Sequence, residues 1–548
     1  MTRSFAAALL SGSPDALELL PDYRDAAQRR AAAEVGARLE GRRALVDVLA
    51  SQDVPRGPLA LRSLDRLSHP SAVAVVTGQQ AGLFGGPLLT MVKLLSAVVN
   101  ARALEAELGR PVVPVFWLQN EDHDFAEIAE TWVPARAAGL LRVAVEPSAG
   151  CERCSVAHHP LNESVVGALF ELSALLGEGD GARAVVSSLE DAYVPGRSIA
   201  AAFATWLSGL VDAFGVVIVD SRDAGLASLA LPIHLRALDG ASAIASGLLA
   251  RDGRLTELGF RGQVHVRPGA PLAFFHPTGP LGPRYRLETH DGGYALVGPG
   301  DLVTRAQLRA AAEADPRVLS SSALLRPIIQ DSLLPTVAYV GGPAELAYFA
   351  QIGPVYEHFG RPMPLIVPRS RVRLIEERAR RLLQDLALTP GDVSRPRDDL
   401  LAFIASRDTA PSTDAPPIPA PDQLRERLQA RIRDVIAAEE AVVTTVDPTL
   451  RGPLEKLADA TGDSVVRFVQ KYERAWRGRD QLTGDRLDRL RVLLEPNGVP
   501  QERVHGLPYY LARYPDLLQR LLGAIEPFSG GLIDVELGAH ASTREVAS

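Results

Sequence analysis

Hydrophobic and polar positions change rhythm several times along the chain, and each change marks an element. Residues 1–65 are rich in Ala, Arg, Glu and Leu, and AAQRRAAAEVGARLEGRRALVDVLASQ predicts helix. The texture then shifts to a short β-branched run at 71–76 (SAVAVV), which breaks off into the turn-rich TGQQAGLFGGP. Pro87 opens a helical pattern, LLTMVKLLSAVVNARALEAEL, that stops at Gly109. Pro at the first helical position and Gly just past the end are the expected punctuation. A second apolar run, 112–118 (VVPVFWL), ends in QNEDHD. Strand, glycine loop, helix and strand form a βαβ unit, which implies parallel strands and a right-handed crossover.

Residues 125–195 read as an excursion, with one strand at LLRVAVEP and helices after it. The alternation returns with a helix at 199–213 and a strand at 216–220 (VVIVD). A mixed insertion follows at about 235–315, with strand-like GQVHVRP, PLAFFHP and RYRLET and the helical DLVTRAQLRAAAEAD. Core signals resume at RPIIQD, at PTVAYVGGPAELAYFAQIGPVYEHFG and at MPLIVP; the second of these again runs from a strand through Gly-Gly-Pro into a helix. From Arg371 the chain reads as charged helix (RVRLIEERARRLLQDLAL), broken at 409–422 by TAPSTDAPPIPAPD, a composition that cannot hold regular structure. Beyond it, apolar residues recur at spacings of three and four among many charges, the pattern of a long antiparallel coiled coil. The expected organisation is an α/β Rossmann-like core over 1–370, a helical arm over 371–500, and a closing segment over 501–548 that returns to the core with the strand GLIDVEL.

Composition narrows the class. At 548 residues the chain is too long for one compact core. A net charge of −8 argues against a nucleic-acid partner, which normally demands a basic face, although a local cluster of Arg can still hold an anionic small molecule. Two cysteines cannot staple a chain of this size, no signal-peptide core opens it, and no apolar run reaches the roughly 18 residues of a membrane helix. A cytoplasmic protein with no membrane contact is expected.

Two loops draw the chemistry, because ligands of open parallel sheets bind beyond the carboxyl ends of the strands. In the first, Thr77, Gly78, Gln79, Gln80, Gly82, Gly85 and Gly86 combine amides suited to a sugar or carboxylate with glycines that let the backbone approach a ligand. Free N–H groups at the start of the next helix would favour an anion. The bland alternative is a tight strand-to-helix turn. Lys93 stands six residues beyond Pro87; it is a candidate for holding substrate or nucleotide, or, if that is too far along the helix from the anion site, surface charge. The second loop, Asn120-Glu121-Asp122-His123-Asp124, gathers three carboxylates around one imidazole. Such crowding shifts pKa values toward those useful for taking a proton from an attacking amine, with Asp122, His123 and Asp124 as catalytic candidates. The same oxygens could seat Mg²⁺, or simply cap a helix.

Arg326, Arg369 and Arg371 are candidates for holding carboxylate or phosphate, with Tyr339 assisting. Cys151, Cys154, His158 and His159 are spaced too tightly for a zinc finger and read as a free CxxC pair on an inserted loop, with no metal assigned.

Taken in order, VVTGQQAGLFGGPLLTMVKLLSA, RPVVPVFWLQNEDHDFAEI, RPIIQDSLLPTVAYVGGPAELAYFAQIGPVYEHFGRPMPLIVPR and EPNGVPQER resemble the signatures of the cysteine ligase family of bacillithiol biosynthesis. The resemblance implies a Rossmann-like core similar to class I nucleotidyl transferases and a coiled-coil arm that makes a homodimer. It also implies a reaction joining the carboxyl of L-cysteine to the amine of glucosaminyl malate, which yields a low-molecular-weight thiol. Activation of the carboxylate is expected to use ATP or another nucleotide. The chain lacks the HIGH-type motif of class I nucleotidyl transferases, so adenylate chemistry does not carry over from it. A nucleotidyl transferase acting on a sugar, and a dimeric nucleotide-binding scaffold without catalysis, are the competing expectations.

Overall fold

The computed structural model describes residues 3–135, 139–408 and 419–538, except for the side chains of 405–408 and 477–480. Two compact units emerge: Met1–Leu374 with Gln501–Ser548, and Ile375–Pro500.

The first unit is built on a five-stranded parallel sheet. Its strands are β1 (Val73–Gln79), β2 (Val112–Leu118), β3 (Val217–Asp220), β4 (Thr336–Gly341) and β5 (Leu365–Pro368), in spatial order β5-β4-β1-β2-β3. The strands are continuous apolar runs because both faces are covered, as parallel sheets require. In β2, Val113, Val115 and Trp117 pack into one cluster, while Phe116 and Leu118 pack into the other. Helix α1 (Leu89–Leu108) makes the first crossover and is buried on nearly every side. Gly109 closes it at φ +62°, the left-handed conformation that only glycine adopts at no cost. The helix starts two residues after Pro87, which instead bridges to Gly506. Helix α2 (Pro343–Gln351) follows β4 directly.

The inserted segments are partly as read. The first begins with a hairpin, Glu130–Ala135 paired with Gly139–Ala144, followed by two helices. The second builds a separate antiparallel sheet around Ala273–Phe275 and Tyr285–His290. GQVHVRP at 262–268 is irregular backbone rather than strand. RPIIQD lies in the helix Arg326–Leu333. The helical expectation from Arg371 fails at its start, since Arg371–Glu376 is a strand. Every residue of that strand but Arg371 is buried, Arg373 included, which pairs with Asp534 at 2.8 Å; its two arginines are what made it read as a charged helix. The closing strand is Leu532–Leu537.

In the second unit, α3 (Pro421–Val446) and α4 (Arg451–Leu494) pack side by side, reversed by a turn in which Asp447 Oδ1 accepts the Thr449 N–H at 2.9 Å. Of the break expected at 409–422, residues 409–418 lie outside the described residues, and Pro421 already begins α3. Among the described residues no helix is long and apolar enough to cross a membrane.

Candidate active site

The core strands run outward from β1 through β2 to β3, then return to β4 on the other side of β1 and end at β5. The order reverses between β1 and β4, and the crevice outside such a reversal is where sheets of this kind bind ligands. A cleft of about 600 Å³ opens there. Gln79 and Gln80 reach it from the end of β1, Gln119, Glu121 and Asp122 from beyond β2, Ser221 from beyond β3, and Glu345 from the first turn of α2. The second insertion supplies the facing wall, with Phe274, Arg284, Arg286 and Ser321. The two loops singled out in the sequence therefore share one pocket mouth, as the register Gly78↔Trp117 and Gln79↔Leu118 dictates.

Lys93 is neither distant nor on the surface. Its side chain is 2% exposed, and Nζ donates to the Gly78 carbonyl at 2.6 Å and pairs with Glu345 Oε2 at 2.5 Å. Helical side chains lean toward the helix N-terminus, so a long stem on the second turn reaches back to the strand end. Burial pushes the ammonium below its ordinary pKa despite Glu345. Burial works to raise the Glu345 carboxyl, but Lys93 and the Gly342 N–H outweigh it and hold it down. That N–H donates to Glu345 Oε2 at 2.8 Å, the backward bond of a capping box at the start of α2. The other oxygen accepts from Tyr339 Oη at 2.5 Å. Arg326 Nη2 donates to Tyr348 Oη at 2.6 Å, and burial pushes that phenol up to about 12. Arg326, Tyr348, Tyr339, Glu345 and Lys93 thus form one dry polar chain along the cleft floor.

Gly82, Gly85 and Gly86 have no N–H free to cradle an anion. Their N–H groups and that of Leu83 are already used: Gly82 on Gln80 O (3.0 Å), Leu83 on Ile128 O (2.8 Å), Gly85 on Gly82 O and Tyr193 Oη (both 3.1 Å), and Gly86 on Leu83 O (3.0 Å). Gly82, Gly85 and Gly86 stand away from the cleft, and the bland reading holds for them. A Cβ on Gly85 would sit 2.2 Å from Trp206 Cζ3, and φ of +89° disfavours any side chain there. Gly78 faces the Trp117 carbonyl, where a Cβ would come within 2.4 Å. Thr77 is structural as well, its Oγ1 donating to Val340 O at 2.8 Å and lacing β1 to β4.

The acidic segment divides. Asn120 is buried and ties β2 to β3 through Asp220 Oδ1 (2.6 Å) and Ser221 Oγ (2.6 Å). Glu121 and Asp122 face the cleft, and Ser321 Oγ donates to the Glu121 carboxylate. His123 and Asp124 do not line it. Asp124 is exposed and accepts the Glu127 N–H at 3.2 Å, capping a turn that leads into the strand Glu130–Ala135 and not the helix expected after this loop. His123 Nδ1 lies 3.2 Å from Asp122 Oδ1. That contact, working against burial and joined by Arg284 at 3.6 Å, draws the Asp122 carboxyl down to about 2.

Arg369 borders the cleft but is committed to a buried pair with Glu502 (2.6 Å) and to the Ser370 carbonyl (2.8 Å). Arg371 is exposed on its strand, donates its N–H to Gly531 O, and is absent from the cleft. Sequence reasoning missed Arg284, which is 4% exposed, donates to the Glu121 carbonyl and lies 3.8 Å above the Phe274 ring. Nothing local marks it. Glu345 was findable, as the third residue of a helix opened by Gly-Gly-Pro.

Among the described residues no three His, Cys, Asp or Glu side chains converge as metal ligands. The lining carries seven Lys and Arg against three carboxylates, in a chain of net charge −8. Such a cleft attracts anions against the global field.

Comparison with known proteins accords with this architecture. The model of the family described as "Bacillithiol biosynthesis BshC, N-terminal Rossmann-like domain" matches residues 9–370, and that of the BshC C-terminal coiled-coil domain matches 372–533. A protein named "Putative cysteine ligase BshC" from Koribacter versatilis is 34% identical over 471 residues, covering 85% of this chain and 84% of its own. Its namesake from Salinibacter ruber is 32% identical over 510 residues, covering 92% and 90%. That from Geobacillus thermodenitrificans is 29% identical over 510 residues, covering 92% of each.

Proposed function

This chain belongs to the BshC family of bacillithiol biosynthesis and is a ligase, and from that premise we propose that its cleft joins the carboxyl of L-cysteine to the amine of glucosaminyl malate. A free carboxylate is a poor electrophile, so a nucleotide activates it, either as an adenylate or as an acyl phosphate. The glucosamine amine then attacks the activated carbonyl. Arg284, Arg286 and Arg326 supply cationic donors for malate or phosphate oxygens. Asp122, held near 2, is too weak a base to take the amine proton and serves as fixed charge facing the amine. Glu121, the neighbouring cleft carboxylate, takes the proton.

The excess of basic side chains at the β1–β4 switch point carries this reading, because both malate and a nucleotide triphosphate are polyanions. Purified protein given cysteine, glucosaminyl malate and ATP should yield bacillithiol together with AMP or ADP, and a deletion strain should accumulate glucosaminyl malate. No product with any nucleotide would refute it.

The arm serves a second copy of the chain. Val435, Val442 and Val446 on α3 and Leu457 on α4 remain more than half exposed, a row that pairing with another arm would cover. Light scattering on the full chain should give twice the monomer mass, and a chain with Val435, Val442 and Leu457 changed to Ser should give the monomer mass.

A further inference from the structure

Cys151 and Cys154 take no part in the chemistry above, yet they sit on the frame of the cleft. The Cys154 N–H donates to the Cys151 carbonyl at 3.1 Å and closes a four-residue turn in which Arg153 has φ +65°. Such a turn keeps its first and last Cα within about 7 Å, close to the ~4.4–6.8 Å that a disulfide spans. Both thiols are free, and the Cys154 thiol points back into its own turn, its Sγ 3.9 Å from the Gly150 carbonyl. Cys151 is partly exposed, whereas Cys154 is 5% exposed. That is the arrangement of one attacking and one resolving thiol.

The turn is fastened to the cleft on both flanks. On one side the Arg284 N–H donates to Arg153 O at 2.9 Å, and Cys154 bridges to Pro283. On the other, Ser155 Oγ donates to Asn120 O at 2.5 Å, Val156 N to Asp122 O at 2.7 Å and Ala157 N to Asn120 O at 3.0 Å. The residues beside the cysteines therefore hold the backbone that aims Asp122 and Arg284 at each other.

We infer that Cys151 and Cys154 form a redox modification site, oxidised to an intramolecular disulfide by a low-molecular-weight disulfide, and that this oxidation pulls Asp122 and Arg284 out of register in the cleft. The Cys151 thiolate attacks one sulfur of RSSR, forms a mixed disulfide and expels RS⁻. The Cys154 sulfur, having lost its proton to solvent, then attacks the Cys151 sulfur and expels the second RS⁻. The two RS⁻ take up the two protons released, so two protein thiols are oxidised and one RSSR is reduced to two RSH. Burial holds the Cys154 thiol up at about 11, which makes the resolving step the slower one. Drawing the sulfurs to bonding distance reshapes a turn that already contains a left-handed arginine, and the displacement passes to residues 120–122 and 283–284. The reagent class includes the disulfide of the thiol that the proposed ligation makes; that clause alone rests on the functional reading.

The full chain is incubated with hydroxyethyl disulfide, then followed by alkylation with intact mass and by hydrogen exchange. Two thiols should become unalkylatable with no added mass. Amides of Val156, Ala157 and Arg284 should exchange about tenfold faster, ligase turnover should fall at least tenfold, and dithiothreitol should restore all three. Cys151→Ser, at the partly exposed position, should show no response to the disulfide while keeping basal turnover. A lasting mixed disulfide on Cys151, unreacted thiols, or a disulfide that leaves exchange at 156, 157 and 284 unchanged would each overturn the inference. The thiol and exchange measurements decide the matter even if no ligase activity is found.

Discussion

Lys93→Met removes the cation from the driest part of the cleft and leaves the Glu345 carboxylate, 17% exposed, facing it alone. Stripping one partner from a buried ion pair costs about 3–5 kcal/mol. Glu345 keeps the Gly342 N–H at 2.8 Å and the Tyr339 hydroxyl at 2.5 Å, which places the loss near the lower end, ~3 kcal/mol at neutral pH. The sign of the pH dependence is distinctive. In the parent chain Glu345 sits below its ordinary pKa, so its contribution is present above the ordinary carboxylate range and is lost only as pH falls through the lowered value. Without Lys93, burial is unopposed and the carboxyl rises. The variant's deficit should therefore be full at neutral and alkaline pH and shrink as pH falls through the raised value, where Glu345 takes up a proton. Urea unfolding of the first unit's transition from pH 5 to pH 8, with Lys93→Met/Glu345→Gln as the partner variant, measures it. The double variant should recover all but ~1 kcal/mol, because a neutral pair carries no desolvated charge. A deficit under ~1 kcal/mol that does not vary with pH, or a double variant no better than the single, would refute a dry, coupled pair.

Other outcomes follow from the same geometry. Gly85→Ala should cost more than ~3 kcal/mol and yield little soluble protein, since its Cβ meets Trp206, whereas Gly109→Ala, with nothing within 4 Å, should cost only the ~1 kcal/mol of a left-handed alanine, read as melting temperature. Arg284→Lys cannot keep both the Glu121 carbonyl and the stack on Phe274, so kcat/KM for glucosaminyl malate should fall about 30-fold (~2 kcal/mol), while an unchanged value would remove Arg284 from the site. Asp122, at about 2, contributes its charge above the ordinary carboxylate range and loses it only as pH falls toward 2. The pH–rate profile above roughly pH 5 should thus show no inflection from it. Asp122→Asn should lower the rate without moving the acid limb, and a displaced limb would show that Asp122 titrates in turnover.

The strands at 73–79 and 112–118, the crossover helix with its Gly109 stop and the two-helix arm were legible in the sequence, because each is announced by local periodicity and punctuation. So was the nearness of Gln79 and Glu121, since parallel neighbours joined by one crossover must end on the same side. The strand at 371–376 was not legible, because burial of Arg373 against Asp534 leaves no apolar periodicity to read. What only the tertiary structure decided is which polar groups meet. Gly82, Gly85 and Gly86 looked like ligand backbone and proved to be packing against Trp206 and hydrogen bonds to Tyr193 and Leu83. Lys93 looked peripheral and became the buried partner of Glu345, more than two hundred residues away. Arg284 reached the cleft from a sheet inserted between β3 and β4. Periodicity records which side of an element is apolar, but the partner of a buried charge comes from wherever the chain returns, and no local pattern carries that.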